Sequence, residues 1–179
     1  MAIRKASSYS KMGARPYTRH SRRKNQAYIK TVPNNKIVKY NVGNHKDYFD
    51  DKHTYTVTLI STQNTQVRDT ALEAGRMLLT KVLDNEAPGQ YFLMVKVHPH
   101  HLLRENKSAA AVAGADRIST GMTQSFGVVI GRAARVSNGQ EIFFVSCANE
   151  KAARAAKNAL VAAKPKLPCA TKILFKKLK

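Results

Sequence analysis

Acidic residues are missing from both ends of this chain. Its 179 residues include 31 Lys or Arg against eleven Asp or Glu, and every carboxylate lies between Asp47 and Glu150. The first 46 residues carry twelve Lys or Arg and the last 29 carry nine, while the middle carries ten beside its eleven acids. A formal net charge of +20 opposes folding by self-repulsion, so a merely soluble surface does not account for it. A polyanion does, because each neutralised phosphate releases counterions. Tryptophan is absent, which decides nothing. Cysteine is confined to Cys147 and Cys169, too far apart for a metal-type pair, and both are expected to be reduced. No run of about eighteen apolar residues occurs, so no membrane-spanning helix is expected. The basic, polar N-terminus lacks an apolar stretch before a small-residue cleavage site, so no secretory signal is expected and the chain is placed in the cytoplasm. Nucleic acid is favoured over a membrane surface because no basic amphipathic helix stands alone at either end.

The length suits one domain and is tight for two. Residues 1–27 read as a basic arm in which Tyr9 and Tyr17, with Tyr28 just beyond, alternate with Arg4, Lys5, Lys11, Arg15, Arg19, Arg22, Arg23 and Lys24. Cations for phosphates and rings for unstacked bases suit RNA better than duplex DNA, and such an arm is expected to order on its partner. Residues 28–179 read as a single α+β domain. Residues 54–60 alternate as a strand, with Tyr55, Val57 and Leu59 on one face. A helix is predicted over 65–84, with Val67, Ala71, Ala74, Leu78 and Val82 sharing a face. A second strand spans 91–97, and residues 98–127 form a long loop without clear periodicity. Strands return at 128–136 and 141–147, and Asn138-Gly139 between them signals a hairpin. A helix over 149–163, with Asn149 at its N-cap and Pro165 stopping it, presents Lys151, Arg154 and Lys157 on one side. A short strand around Ile173–Phe175 ends the chain. The order predicts two main helices on a mostly antiparallel or mixed sheet.

Candidate chemistry is sparse. His98-Pro99-His100-His101 suggests zinc, but in an extended segment His98 and His100 point one way and His101 the other, and no Cys or carboxylate cluster accompanies them. Histidines beside Arg104, Asn106 and Lys107 fit a phosphate- and base-contacting turn at least as well. Gly114, Gly121 and Gly127 lack phosphate-loop spacing. Cys147 lies in an apolar strand, where a buried, inert thiol is expected. Ser119 and Ser125 have no visible base, and Asp116–Arg117 reads as a loop-bracing ion pair. A histidine-dependent nuclease would need converging carboxylates or ligands, and an independent DNA-binding module would need a helix-turn-helix or zinc pattern; neither is visible.

Several blocks together resemble a known family. They are Gln66-Val-Arg-Asp-Thr-Ala-Leu-Glu-Ala-Gly-Arg76, His98-Pro-His-His-Leu-Leu-Arg-Glu-Asn-Lys107, Ala113-Gly-Ala-Asp-Arg117 and Thr120-Gly-Met122. Pro16-Tyr-Thr-Arg19, Ser125-Phe-Gly127 and Gly131-Arg-Ala-Ala-Arg-Val136 extend the match, in order, over residues 4 to 175. The chain resembles the universal large-subunit ribosomal protein family called L sixteen in bacteria and L ten-e in archaea and eukaryotes, and fits the archaeal branch best. That resemblance implies an α/β-hammerhead fold on large-subunit rRNA, near the peptidyl-transferase region and the tRNA cleft, with neighbouring ribosomal proteins, no cofactor, no catalysis and no homo-oligomer. It implies that Arg4, Lys5, Arg15, Tyr17 and Arg19 anchor the arm in rRNA, and that Arg68, Arg76, Arg132 and Arg135 contact RNA from the folded body. It also implies that the 98–127 loop, rooted at His100 and His101 and lined by Arg104, Asn106, Lys107 and Arg117, faces the tRNA acceptor end. Ser108, Thr123-Gln124 and Val128 depart from the family pattern. Residues 20–26, with Arg22, Arg23 and Lys24, are extra and predict an additional rRNA contact.

Overall fold

Strand Tyr55–Ser61 (β2) is the centre from which the rest of the fold is laid out. Its alternation puts Val57 and Leu59 out of solvent on one face, and Thr56 and Thr58 are buried on the other. The computed structural model describes residues 5–13, 15–19, 23, 28–106 and 127–178. Before β2 come a short strand Asn41–Gly43 (β1) and a helical turn His45–Phe49 (α1). After it come Thr65–Arg68 (β3), helix Asp69–Glu86 (α2), Tyr91–Val95 (β4), His101–Glu105 (β5), Val128–Val136 (β6), Glu141–Cys147 (β7), helix Glu150–Ala163 (α3) and Thr171–Lys177 (β8). The class is α+β, and every strand pairing among the described residues is antiparallel.

Two sheets form in place of one: a five-stranded sheet ordered β1-β4-β7-β2-β8 and a three-stranded sheet ordered β3-β6-β5. The Asn138-Gly139 turn is present, with Gly139 at φ 80 and the Gln140 amide donating to the Ser137 carbonyl at 3.1 Å. It does not close the expected hairpin, because β6 and β7 lie in different sheets. The side of β7 is already taken by β2, while β3 pairs with β6. The segments β2–β3 and β6–β7 are therefore the two arms of one long bent ribbon. At its corner the Gly139 amide donates to the Ser61 carbonyl at 2.8 Å, the Ser61 amide to Gln140 at 2.9 Å, and the Asn138 amide to Asn64 Oδ1 at 2.8 Å.

The two long helices pack against each other and on one face of the five-stranded sheet. Helix α2 starts at Asp69, later than the pattern predicts, because β-branched Thr65 and Val67 pair with β6 instead. Its buried stripe is also rotated from the predicted one: Leu72, Gly75, Leu79 and Leu83 face the core, and Ala71, Leu78 and Val82 flank it. Gly75 sets that phase, since a Cβ there would stand 2.8 Å from Phe143 Cζ. Helix α3 approaches the sheet through Ala152, Ala153, Ala156, Ala159 and Ala163 with Leu160. Asn149 occupies its N-cap, but the side chain donates to Gln90 Oε1 at 3.1 Å and caps nothing. A short 3-10 turn over Lys164–Lys166, with Pro165 inside it, ends the helix. On the opposite face of the sheet, Tyr48 of α1 stacks on Phe92 at 4.5 Å.

Candidate nucleic-acid interface

Residues 98–106 are not irregular throughout. His101–Glu105 pairs with β6, with a bulge between Leu103 and Arg104, and both Leu102 and Leu103 are buried. The sequence conceals this strand because its apolar residues are adjacent rather than alternating and polar residues flank them. Strand β5 is an edge, and β3 is the other edge of the same sheet.

The N-terminal arm crosses that sheet from edge to edge. At the β3 edge, the Gln66 amide and the Thr65 hydroxyl both donate to the Ser10 carbonyl, at 3.0 and 2.9 Å. In the middle, Arg135 Nη2 donates to the Gly13 carbonyl at 2.7 Å. At the β5 edge, the Tyr17 amide donates to His101 Nδ1 at 2.8 Å, and the Leu102 amide donates to the Tyr17 carbonyl at 3.0 Å. The Arg104 guanidinium lies 3.5 Å from the centre of the Tyr17 ring, and Arg68 lies 5.6 Å from that of Tyr9. Register places Gln66, Arg68, Ala133 and Arg135 on one face of the sheet and buried Val67, Ala134 and Val136 on the other, against α2. The arm thus covers the face turned away from the core, and part of it is held by the body of the protein itself.

The electrostatics at the β5 edge follow from this geometry. Burial, then the positive charges of Arg135, His100 and Arg104, push His101 down to about 4. A neutral ring leaves Nδ1 free to accept from Tyr17, which a doubly protonated imidazolium cannot do. Beyond Tyr17, Arg19 forms an antiparallel bridge with Tyr28, and its guanidinium lies 4.8 Å from that ring's centre.

The residues singled out in the sequence divide accordingly. Tyr17, Arg68, His101, Arg104 and Arg135 come together where the arm meets the small sheet, and Lys5, Arg15 and Arg23 are exposed. Arg132 points to the other face of β6, where Nε donates to the Pro33 carbonyl at 2.7 Å. Arg76 is not brought to the arm: it lies on α2 in an ion pair with Glu73, with its side chain 12% exposed. Arg76 in turn holds the Glu73 carboxyl below its ordinary range. His100 is exposed and Asn106 half-buried. Arg4, Arg22, Lys24, Lys107 and Arg117 lie outside the described residues, as do Ser108, residues 20–22 and 24–26, Asp116, Ser119, Thr123-Gln124 and Ser125. Sequence reasoning did not find Ser10 and Gly13, which act through backbone carbonyls and so leave no side-chain signal.

The histidine cluster is spread over separate partners. His101 meets Tyr17, the His98 ring lies 4.5 Å from that of Tyr40, and His100 Nδ1 lies 3.2 Å from the His98 carbonyl. Among the described residues no three His, Cys, Asp or Glu side chains are grouped to hold a metal, and no helix is long and apolar enough to cross a membrane. Cys147 is fully buried, and burial pushes its thiol up to about 12.

Comparison with known proteins bears on these features. The family model described as ribosomal protein L16p/L10e matches residues 15–174. A large ribosomal subunit protein uL16 from Staphylothermus marinus is 43% identical over 181 residues, spanning 100% of this chain and 97% of that one. The protein of the same name from Methanococcus maripaludis is 41% identical over 178 residues, covering 99% and 96% of the two chains. The one from Sulfolobus acidocaldarius is 38% identical over 175 residues, covering 97% and 93%. With a match spanning the end of the arm, the bent ribbon and both long helices, the chain belongs to the ribosomal protein L16p/L10e family.

Proposed function

We propose that this protein is a non-catalytic constituent of the large ribosomal subunit that binds large-subunit rRNA through its arm and small sheet. The observation that carries the reading is the arm laid across the β3-β6-β5 sheet. Its backbone and rings are fixed inward, while Lys5, Lys11 and Arg15 stay exposed at fixed positions. Pre-placed cations lose less freedom on meeting phosphates than a free tail does. Fold-level expectations of the family belong to the same reading: a hammerhead arrangement, an arm over 1–27 and a single domain over 28–179. So does a seat near the peptidyl-transferase region, with neighbouring ribosomal proteins, in which the segment 98–127 faces the tRNA acceptor end.

Within that segment the roles separate. His101 and Arg104 turn toward Tyr17 and shape the root, exposed His100 precedes β5 and half-buried Asn106 follows it, and Lys107 and Arg117 supply the cations of the segment beyond. Sedimentation at moderate salt tests the reading. The chain is expected to travel with large subunits, and a chain that stays in the free fraction overturns it. Deletion of 20–26 is expected to weaken salt-resistant association through the loss of Arg22, Arg23 and Lys24.

A further inference from the structure

The cations of the last 29 residues are not used by the arm or the small sheet. Lys151 and Lys157 on α3, Lys166 just after it, and Lys172, Lys176 and Lys177 on β8 are all exposed. None takes part in an ion pair among the described residues. The one arginine of the stretch, Arg154, is paired with Glu150 at 2.6 Å, which neutralises the carboxylate at the start of the helix. Asp51 and Glu141 share a groove with Lys176, and Glu141 lies 3.8 Å from Lys96 instead. Helix α3 packs on β2, β7 and β8, and β8 is a sheet edge beside it; register puts Lys177 on the face of β8 toward α3 and Lys172 and Lys176 on the other face, so the lysines flank this edge from both faces. Helix α2 packs on α3 and also on β3 and β6, and so separates this side from the small sheet, whose far face carries the arm.

We propose that the exposed flank of α3 and strand β8 form a second RNA site that contacts phosphates only, so that the protein bridges two separate segments of RNA. The composition distinguishes the two surfaces. The arm mixes arginine with tyrosine, which suits bases and sugars as well as phosphates. The C-terminal side is all lysine apart from the paired Arg154, and lysine acts as a point charge toward phosphate. Lysine is depleted in protein–protein interfaces, and here lysines outnumber the exposed apolar side chains Val161, Phe175 and Leu178.

The inference rests on the rRNA-binding reading, and the test separates the two. Binding of the full chain to deproteinised large-subunit rRNA is measured against salt for the wild type, for K151Q/K157Q/K166Q/K172Q, and for R15Q/R19Q, with circular dichroism to confirm folding. Four lost phosphate contacts are expected to flatten the log–log salt slope by about 3. Footprinting of the wild type is expected to show two separated protected segments, one lost in the lysine variant and the other in the arginine variant. An unchanged slope and footprint in the lysine variant, with R15Q/R19Q weakened, overturns this inference alone. Unaltered binding in both variants overturns the rRNA reading as well. Normal binding to naked rRNA with failed incorporation into subunits assigns the surface to a neighbouring protein and also overturns it.

Discussion

Gly75→Ala brings two opposed effects onto one atom. Glycine in a helix interior is about 1 kcal/mol worse than alanine, so by propensity alone the substitution stabilises α2. The new Cβ would lie 2.8 Å from Phe143 Cζ and 3.0 Å from Cε2. Phe143 is fully buried on a central strand, held by pairing to Leu59 on one side and Val95 on the other, so the ring cannot swing clear. Overpacking of this kind costs about 1–3 kcal/mol, and a contact this short belongs at the upper end. The net expectation is a loss of about 1–2 kcal/mol, which in a domain of this size lowers Tm by about 2–8 °C. Thermal and urea unfolding of the isolated protein measure it. In a Phe143→Leu background the clash is gone and the propensity gain should emerge, so Gly75→Ala should there be neutral or stabilising. An equal loss in both backgrounds, or a raised Tm in the wild-type background, refutes the reasoning.

Two further outcomes follow from the same geometry. His101 has a folded pKa of about 4 against an ordinary 6.5. The contact with Tyr17 should therefore be fully present above pH 6.5, weaken as pH falls toward 4, and change little below that. Because the ring is only partly shielded from solvent, the loss should be on the order of 1 kcal/mol, read as faster amide exchange at Tyr17; protection that ignores pH over this window contradicts it. Gly43, at φ 99, would place a Cβ 2.3 Å from the Tyr91 carbonyl oxygen, whereas Gly139, at φ 80, has nothing within 4 Å. Alanine at Gly139 should cost about 1 kcal/mol from backbone strain and at Gly43 clearly more; denaturation midpoints in the reverse order would remove the steric argument.

What could be read ahead of the structure depended on whether a residue's role is local. Strand β2 was legible because Val57 and Leu59 alternate with smaller polar residues, and α3 because Asn149 and Pro165 bracket it and Lys151, Arg154 and Lys157 share one side at helical spacing. The start of α2 was not, since Val67 fits a helix stripe as well as a strand, and only pairing with Ala134 decides between them. Asn138-Gly139 specifies a turn but not its neighbours; that β2 had already claimed β7 is a long-range fact. The same limit applies to the interface. Charge and tyrosines marked the arm, but its path was set by backbone groups of Ser10, Gly13 and Tyr17, whose identity in sequence says nothing about their partners.

The edge-to-edge path of the arm also fixes an order of events during synthesis. Residues 5–19 leave the ribosome that makes them first, yet the surface they occupy is complete only when Val136 has emerged and β6 has joined β3 to β5. At about 5–20 residues per second, the arm spends several seconds or more as a cationic tail with no dock. The chain thus passes through an interval in which its first segment is available to any polyanion nearby, and the closing of a three-stranded sheet ends that interval.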